Sequence, residues 1–395
     1  MIRKICRYFI PFISTILLLT LACEYSKEMP GAFEEINPNL GEKKKETFYP
    51  LNIESRSRDA KLGDSPYLFL GQYNGYKSYI LSRIAISSLA NIDSTVINSV
   101  SLALSPVKFD STEANNPQFK ARVRILKDME AGWLDSDITW SSFSQTNFQN
   151  TIINETDLGA SQDETVYLKL DVTKFTTSKG RLDSTLRYYG ILIEFEAPEG
   201  QNAMRCFSSC DATDATQLPT LTIVSTYNST TDTSYFSAGY DVSILQYRPL
   251  ENETTQYFSV GNTLNGSLQF PQLSLAENAT INRAQVIFQF DTTRSFYAVN
   301  DVVSVAAIPA KWGEDPSTTI SYSSLPLAHD TLKIDVRVAV QDWISKDDTY
   351  SDGFQIKSTL SDIDIMNIFF YNNLADSTRR PRLVVEYTLP PSSLK

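Results

Sequence analysis

The sequence predicts an all-β fold: two tandem jelly-roll-like antiparallel β-sandwiches that follow a signal peptide and a flexible linker. Three observations lead there. Apolar residues alternate with polar ones at period two along most of the chain, as at Val100, Leu102 and Leu104, at Val166, Leu168, Leu170 and Val172, and at Leu332, Ile334, Val336 and Val338. The stretches between these runs are rich in Ser, Thr, Asn, Asp and Gly, and a single short helix-like piece stands out, near 338–344. Four anchors also recur in one order in both halves, the mark of a duplicated unit.

Composition narrows the function classes. At 395 residues, with 42% hydrophobic and 11% aromatic content, the chain can bury sizeable cores, which excludes wholesale disorder. A formal net charge of −11 removes the clustered cations that phosphate-backbone binding needs, so no nucleic-acid partner is expected. One histidine, His329, leaves little room for His-based catalysis or His-rich metal sites, and it is expected at the surface.

From the N-terminus, Arg3, Lys4 and Arg7 precede an apolar run from Phe9 to Ala22, which reads as a signal peptide over 1–22. A run of roughly 14 residues falls short of the ~20 that a spanning helix requires. It ends in Leu21-Ala22-Cys23 and resembles a bacterial lipoprotein signal. That resemblance implies lipidation at Cys23, export to the outer membrane or cell surface, and membrane contact through the lipid anchor only. Residues 23–47, polar and charged with Pro30, Pro38 and Lys43-Lys44-Lys45, read as a flexible tether.

The first sandwich is expected over 48–226 and the second over 235–389, joined by a linker at 227–234. Trp133 ahead of Ile138-Thr139-Trp140-Ser141-Ser142-Phe143 is echoed by Trp312 ahead of Ile320-Ser321-Tyr322-Ser323-Ser324-Leu325. Leu168-Lys169-Leu170-Asp171-Val172 is echoed by Leu332-Lys333-Ile334-Asp335-Val336. Gly190-Ile191 matches Gly353-Phe354, and Pro219-Thr220-Leu221 matches Pro381-Arg382-Leu383.

The stretch Asp59-Ala60-Lys61-Leu62-Gly63, then Leu68-Phe69-Leu70-Gly71, Ser82-Arg83-Ile84-Ala85-Ile86-Ser87-Ser88-Leu89 and Val96 to Leu102, resembles the start of a DNRLRE domain. Trp133, Ile138-Thr139-Trp140, Asp171-Val172-Thr173, Phe207-Ser208-Ser209 and Pro219-Thr220-Leu221 continue the likeness. The second half is a divergent relative: Arg83 has no counterpart and Tyr322 stands where Trp140 does. The resemblance implies a jelly-roll sandwich related to carbohydrate-binding module family 96, some members of which bind acidic or plant and algal polysaccharides.

No acid–base or nucleophile constellation stands out, so no catalytic residue is expected. Sugar binding needs exposed aromatic faces with a few orienting polar groups. The segment Gly71 to Tyr79 offers Tyr73, Tyr76 and Tyr79 with Asn74, and reads as an adaptable binding loop. The four tryptophans read as core or loop anchors. Asp135 and Asp137 suit turn capping or a structural Ca²⁺ held with loop carbonyls, as does Asp211-Ala212-Thr213-Asp214; no other cofactor is expected. Cys206 and Cys210 would pair in a disulfide only if a bulge or loop lies between them, because residues four apart in a strand are about 13 Å apart. Two functions stay open: a lipid-anchored, non-catalytic carbohydrate-binding protein of the cell envelope with a polysaccharide partner, or a structural or adhesive lipoprotein that docks other envelope proteins.

Overall fold

A computed structural model describes residues 41–84, 86, 89, 94–109, 115–127, 133–143, 148–182, 190–248, 256–276, 278–311, 321–345 and 353–390. Cys23 and the expected signal peptide lie outside these residues. The fold is all-β, every strand pairing among the described residues is antiparallel, and the sheets stack as sandwich-like layers.

Among the described residues the first two strands are β1 (Lys43–Phe48) and β2 (Asn52–Ser57). They are followed by β3 (Tyr67–Tyr73), β4 (Tyr76–Ile84), β5 (Val96–Leu104), β6 (Pro106–Val107), β7 (Phe119–Leu126), β8 (Phe148–Leu158), β9 (Val166–Leu170), β10 (Ile191–Glu196), β11 (Ala203–Ser208), β12 (Thr220–Tyr227) and β13 (Thr230–Tyr247). The remainder comprises β14 (Tyr257–Gly261), β15 (Leu264–Gln269), β16 (Thr280–Gln289), β17 (Phe296–Tyr297), β18 (Val302–Ala310), β19 (Ser321–Pro326), β20 (Thr331–Asp335), the helix α1 (Arg337–Ser345), β21 (Gly353–Ser358), β22 (Met366–Tyr371) and β23 (Arg382–Thr388).

Strands β3 to β13 share one sheet of eleven strands. It folds over itself, so that Leu68, Ile80, Val123 and Ile191 meet Val100, Leu102, Leu168 and Ile223 in one core. A second core gathers Phe258, Phe288, Val305, Ile334, Ile356, Phe370 and Leu383 between sheets of three, four and five strands. A third cluster joins the halves: Leu62, Phe69, Tyr73, Tyr76 and Met204 from one side pack on Phe296, Ala298 and Ile365 from the other. Each large apolar side chain buried there stabilises the fold by about 1.5–3 kcal/mol relative to exposure.

Strand pairing moves the expected boundaries at both ends. β1 pairs with β23 and β2 pairs with β15, so 43–57 belong with the C-terminal sheets and the end of the expected tether is strand. The expected linker at 227–234 is instead a tight hairpin. Tyr227 pairs with Thr230, and Asn228 and Ser229 adopt φ of 49° and 64°. Two positive φ angles are what a two-residue hairpin turn needs, and Asn tolerates them. β13 then bends at the irregularity between Ala238 and Tyr240 and continues against β4, which carries residues assigned to the second sandwich into the first sheet. The alternation at Leu332 and Ile334 is strand, whereas Val336 and Val338 leave it: Asp335 Oδ1 accepts the Arg337 N–H (2.9 Å) and the helix α1 starts.

Candidate functional site

The tyrosine segment expected to be an exposed loop is a closed hairpin. Asn74 and Gly75, with φ of 44° and 82°, form a two-residue turn between the paired Tyr73 and Tyr76. Asn-Gly is the strongest short hairpin signal, because both residues accept the left-handed conformation that this turn demands. β3 lies between β4 and β11 and is covered on both faces: Leu68 and Leu70 face one core, Phe69 and Tyr73 the junction between the halves.

Tyr73 and Tyr76 are therefore fully buried, at 1% and 0% exposure, which corrects their assignment to an open sugar-binding surface. Tyr73 meets Phe109 and Phe296 edge-on at 5.1 and 5.0 Å. Tyr76 donates its hydroxyl to the Met366 carbonyl (3.1 Å). Asn74 is half-buried, and its N–H is taken by Asn202 Oδ1 (3.0 Å). Tyr79 points to the opposite face and stacks on Trp140 (5.7 Å, 23°); burial pushes its phenol pKa up. Trp133 is buried beneath the Arg83 guanidinium (5.6 Å), and Trp343 packs on Phe354 (4.9 Å). Trp312 lies outside the described residues.

The two acidic segments meet, but not as the sequence paired them. The Asp135 carboxylate, the Asp211 carboxylate and the Cys210 sulfur lie within 4.8 Å of one another. Asp137 stands apart from that group, exposed on the same 3-10 turn at Asp135–Asp137. Burial raises the Asp135 and Asp211 pKa values; the negative charge of Asp64 adds to the rise at Asp135, and those of Asp135 and Asp64 add to it at Asp211. Beneath them Asp241, 1% exposed, accepts the Cys210 N–H with both oxygens (3.1 and 3.0 Å); burial pushes its carboxyl up to about 7. Burial and these acids also hold the Cys210 thiol protonated. Two carboxylates are suitable hard ligands for Ca²⁺, whereas a protonated thiol is not, so a calcium ion here would rest on Asp135 and Asp211.

The possible disulfide does not form: both cysteines are free thiols. Cys206 sits within β11 in the junction cluster, while Cys210 lies past the strand end against the first core. The chain between them does not bulge back to bring the sulfurs together.

Among the described residues of the first half, the most exposed aromatic side chains lie on the outer face of β13, β12, β5 and β9, which no motif marks. Register places Tyr235, Thr222, Ser101 and Lys169 side by side across β13, β12, β5 and β9. The neighbouring row is Ser237, Thr220, Ala103 and Tyr167. Tyr235 and Tyr167 are 71% and 62% exposed. They border the small side chains diagonally, three strand spacings or about 14 Å apart across the sheet. Lys169 is the one charge in these two rows. The signal was the alternation itself: Thr220, Thr222 and Ser101 are the out-facing partners of Leu221, Ile223 and Leu102. By contrast, the outer face of β7, β8 and β10 is a ladder of ion pairs, Lys120 and Arg122 with Glu155 and Arg124 with Glu194, whose charges satisfy one another.

No family model matches the chain, and no curated protein matches it. Among solved structures, BspA_C_WT is 11% identical over 81% of this chain and 98% of its own, with a TM-score of 0.17. The structure of the Macrobrachium rosenbergii nodavirus is 10% identical over 92% of this chain and 93% of its own, with a TM-score of 0.15. The infectious bursal virus derived T=1 particle is 11% identical over 89% and 75%, with a TM-score of 0.13.

Proposed function

We propose that the protein is a lipid-anchored carbohydrate-binding protein of the cell envelope, without catalytic activity of its own. The observation that carries this reading is the open, nearly uncharged Ser/Thr face bordered by Tyr167 and Tyr235. Exposed tyrosine rings stack on the C–H faces of pyranoses, and rows of hydroxyls exchange hydrogen bonds with sugar hydroxyls at little desolvation cost. Two exposed rings about 14 Å apart across the sheet suit separate sugars of one extended chain, and the scarcity of charge favours a neutral polysaccharide. The resemblance to DNRLRE domains and the lipoprotein-like N-terminus ending at Cys23 support the same reading, with the anchor holding the binding face at the membrane surface.

The test is affinity electrophoresis of the full chain in mild detergent against neutral and acidic polysaccharides, with and without Ca²⁺. Retardation on a neutral glycan is expected, and Tyr167→Ala with Tyr235→Ala should abolish it. Retardation that survives the double substitution would move the site elsewhere, and a folded chain retarded by no glycan would end the carbohydrate reading.

A further inference from the structure

A second surface, at one end of the C-terminal sheets, has the opposite chemistry. Tyr257 and Tyr371 are cross-strand partners in β14 and β22, with ring centroids 5.1 Å apart. The Arg294 guanidinium lies over the Tyr257 ring at 5.2 Å and that of Arg379 over Tyr371 at 4.9 Å, so two cations flank a tyrosine pair. Both are held in place, Arg294 by a long ion pair of its Nε with Asp291 Oδ2 (3.8 Å). Arg379 donates to the Tyr371 hydroxyl (2.8 Å), Tyr257 donates to Asp291 Oδ2 (3.0 Å), and Asp291 Oδ1 accepts the Thr293 N–H (3.0 Å) and the Arg294 N–H (3.2 Å) of its own turn.

Arg380 follows on the same loop and Arg382 opens β23, anchored by the carbonyls of Ala375 (2.9 Å) and Thr378 (3.2 Å) respectively. Among the described residues no carboxylate forms an ion pair with Arg379, Arg380 or Arg382. The segments 291–294 and 371–382 carry Arg294, Arg379, Arg380 and Arg382 against Asp291 and Asp376, an excess of cations on a chain of net charge −11. Screening over about 8 Å at physiological ionic strength lets this local sign, not the net charge, govern a contact.

Exposed apolar side chains border the arginines. Leu374 is 72% exposed, and its neighbour Asn373 donates to the Pro50 carbonyl (2.8 Å), which brings up Tyr49 and Leu51 at 47% and 61% exposure. Arg and Tyr are the side chains that protein-binding hot spots favour, and a guanidinium already seated on a ring loses little freedom on pairing with a carboxylate. A sugar chain would find the ring faces covered by guanidinium groups and would offer nothing to Leu374 and Leu51.

We propose that this end of the molecule docks a partner polypeptide through a segment that carries carboxylates beside a large apolar side chain. The site is separate from the Tyr167/Tyr235 face and does not rest on the carbohydrate reading.

The experiment is selection of a random peptide display library on the full chain in mild detergent, followed by direct binding of the enriched peptides. Enriched sequences should carry Asp or Glu beside Leu or Phe, and raised salt should weaken their binding. Arg294→Gln with Arg379→Gln, checked for an unchanged melting curve, should lower affinity at least about tenfold, and Leu374→Ser should lower it independently. Salt dependence on the unmodified chain keeps the test decisive should the double variant fold poorly. The proposal is overturned if no peptide is enriched, if the enriched peptides lack carboxylates, or if they bind the double variant equally well. Displacement of the peptides by polygalacturonate would assign the patch to an acidic glycan and overturn the polypeptide partner.

Discussion

Tyr76 and Tyr235 are the same residue type in the same eleven-stranded sheet, yet one is fully buried and the other 71% exposed. The difference lies in what covers each face. β4 has packed residues on both sides, so the Tyr76 ring fills the junction with Phe296 and Tyr247. The first stretch of β13 has a core on one side only, so Tyr235 projects from the open face. Aromatic content near a turn is thus a poor guide to a binding surface; a strand with one uncovered face is a better one.

The strongest test of this contrast is Tyr76→Ala. Removing a large ring from a cluster that joins the halves leaves a cavity and strips the Met366 carbonyl of its donor. A loss of about 3–5 kcal/mol in unfolding free energy is expected, read by urea denaturation. Tyr76→Phe keeps the ring and loses only the hydroxyl bond, so about 1 kcal/mol is expected. If Tyr76→Ala melted like the unmodified chain, the junction cluster would not be a core.

Much of the fold was legible, because alternation at Val100–Leu104 or Val166–Leu170 reports one wet and one dry face directly. The helix near 338–344 was legible as well. What alternation does not report is which sheet a strand joins. β1 and β2 lie next to the first half in sequence, but their partners are Leu383 to Thr388 and Leu264 to Gln269, contacts of long sequence separation. Asn74-Gly75 and Asn228-Ser229 are readable as turns from their residue types, and a tight turn rather than a loop at the first is what carries Tyr73 and Tyr76 into the junction. The meeting of Asp135 with Asp211 depends on tertiary folding, and no local spacing encodes it.

β13 carries the same contrast along its own length, since the strand runs from exposed Tyr235 into the buried stretch that begins at Asp241. The Asp241 carboxyl titrates at about 7, well above an ordinary aspartate, chiefly because burial disfavours its charge. The native state therefore holds this proton more tightly than the unfolded chain. Its contribution to stability is full below the unfolded pKa of about 3.9 and is lost as pH rises through about 7. Asp364, raised to about 6 by burial, acts with the same sign. Asp241→Asn should flatten the decline in stability between about pH 4 and pH 7, where one proton is worth at most about 1.4 kcal/mol per pH unit. Parallel pH profiles for the two proteins would show that Asp241 titrates like an exposed acid.

The exposed pair gives the smallest stability effect and the sharpest separation of roles. Tyr167→Ala and Tyr235→Ala remove rings that lie largely in water, so unfolding free energy should stay within about 0.5 kcal/mol of the unmodified chain. Glycan affinity should still fall at least about tenfold, since a stacked ring loses its sugar partner outright. Tyr235→Phe tests the cause: the ring face survives and the hydroxyl does not, so stacking predicts near-full retardation, whereas hydrogen bonding by the phenol predicts loss. A Phe variant as weak as the Ala variant would transfer the role from the ring face to the hydroxyl. An Ala variant that destabilised the fold by several kcal/mol would mean that this face, like that of Tyr76, is covered by a layer of the protein itself.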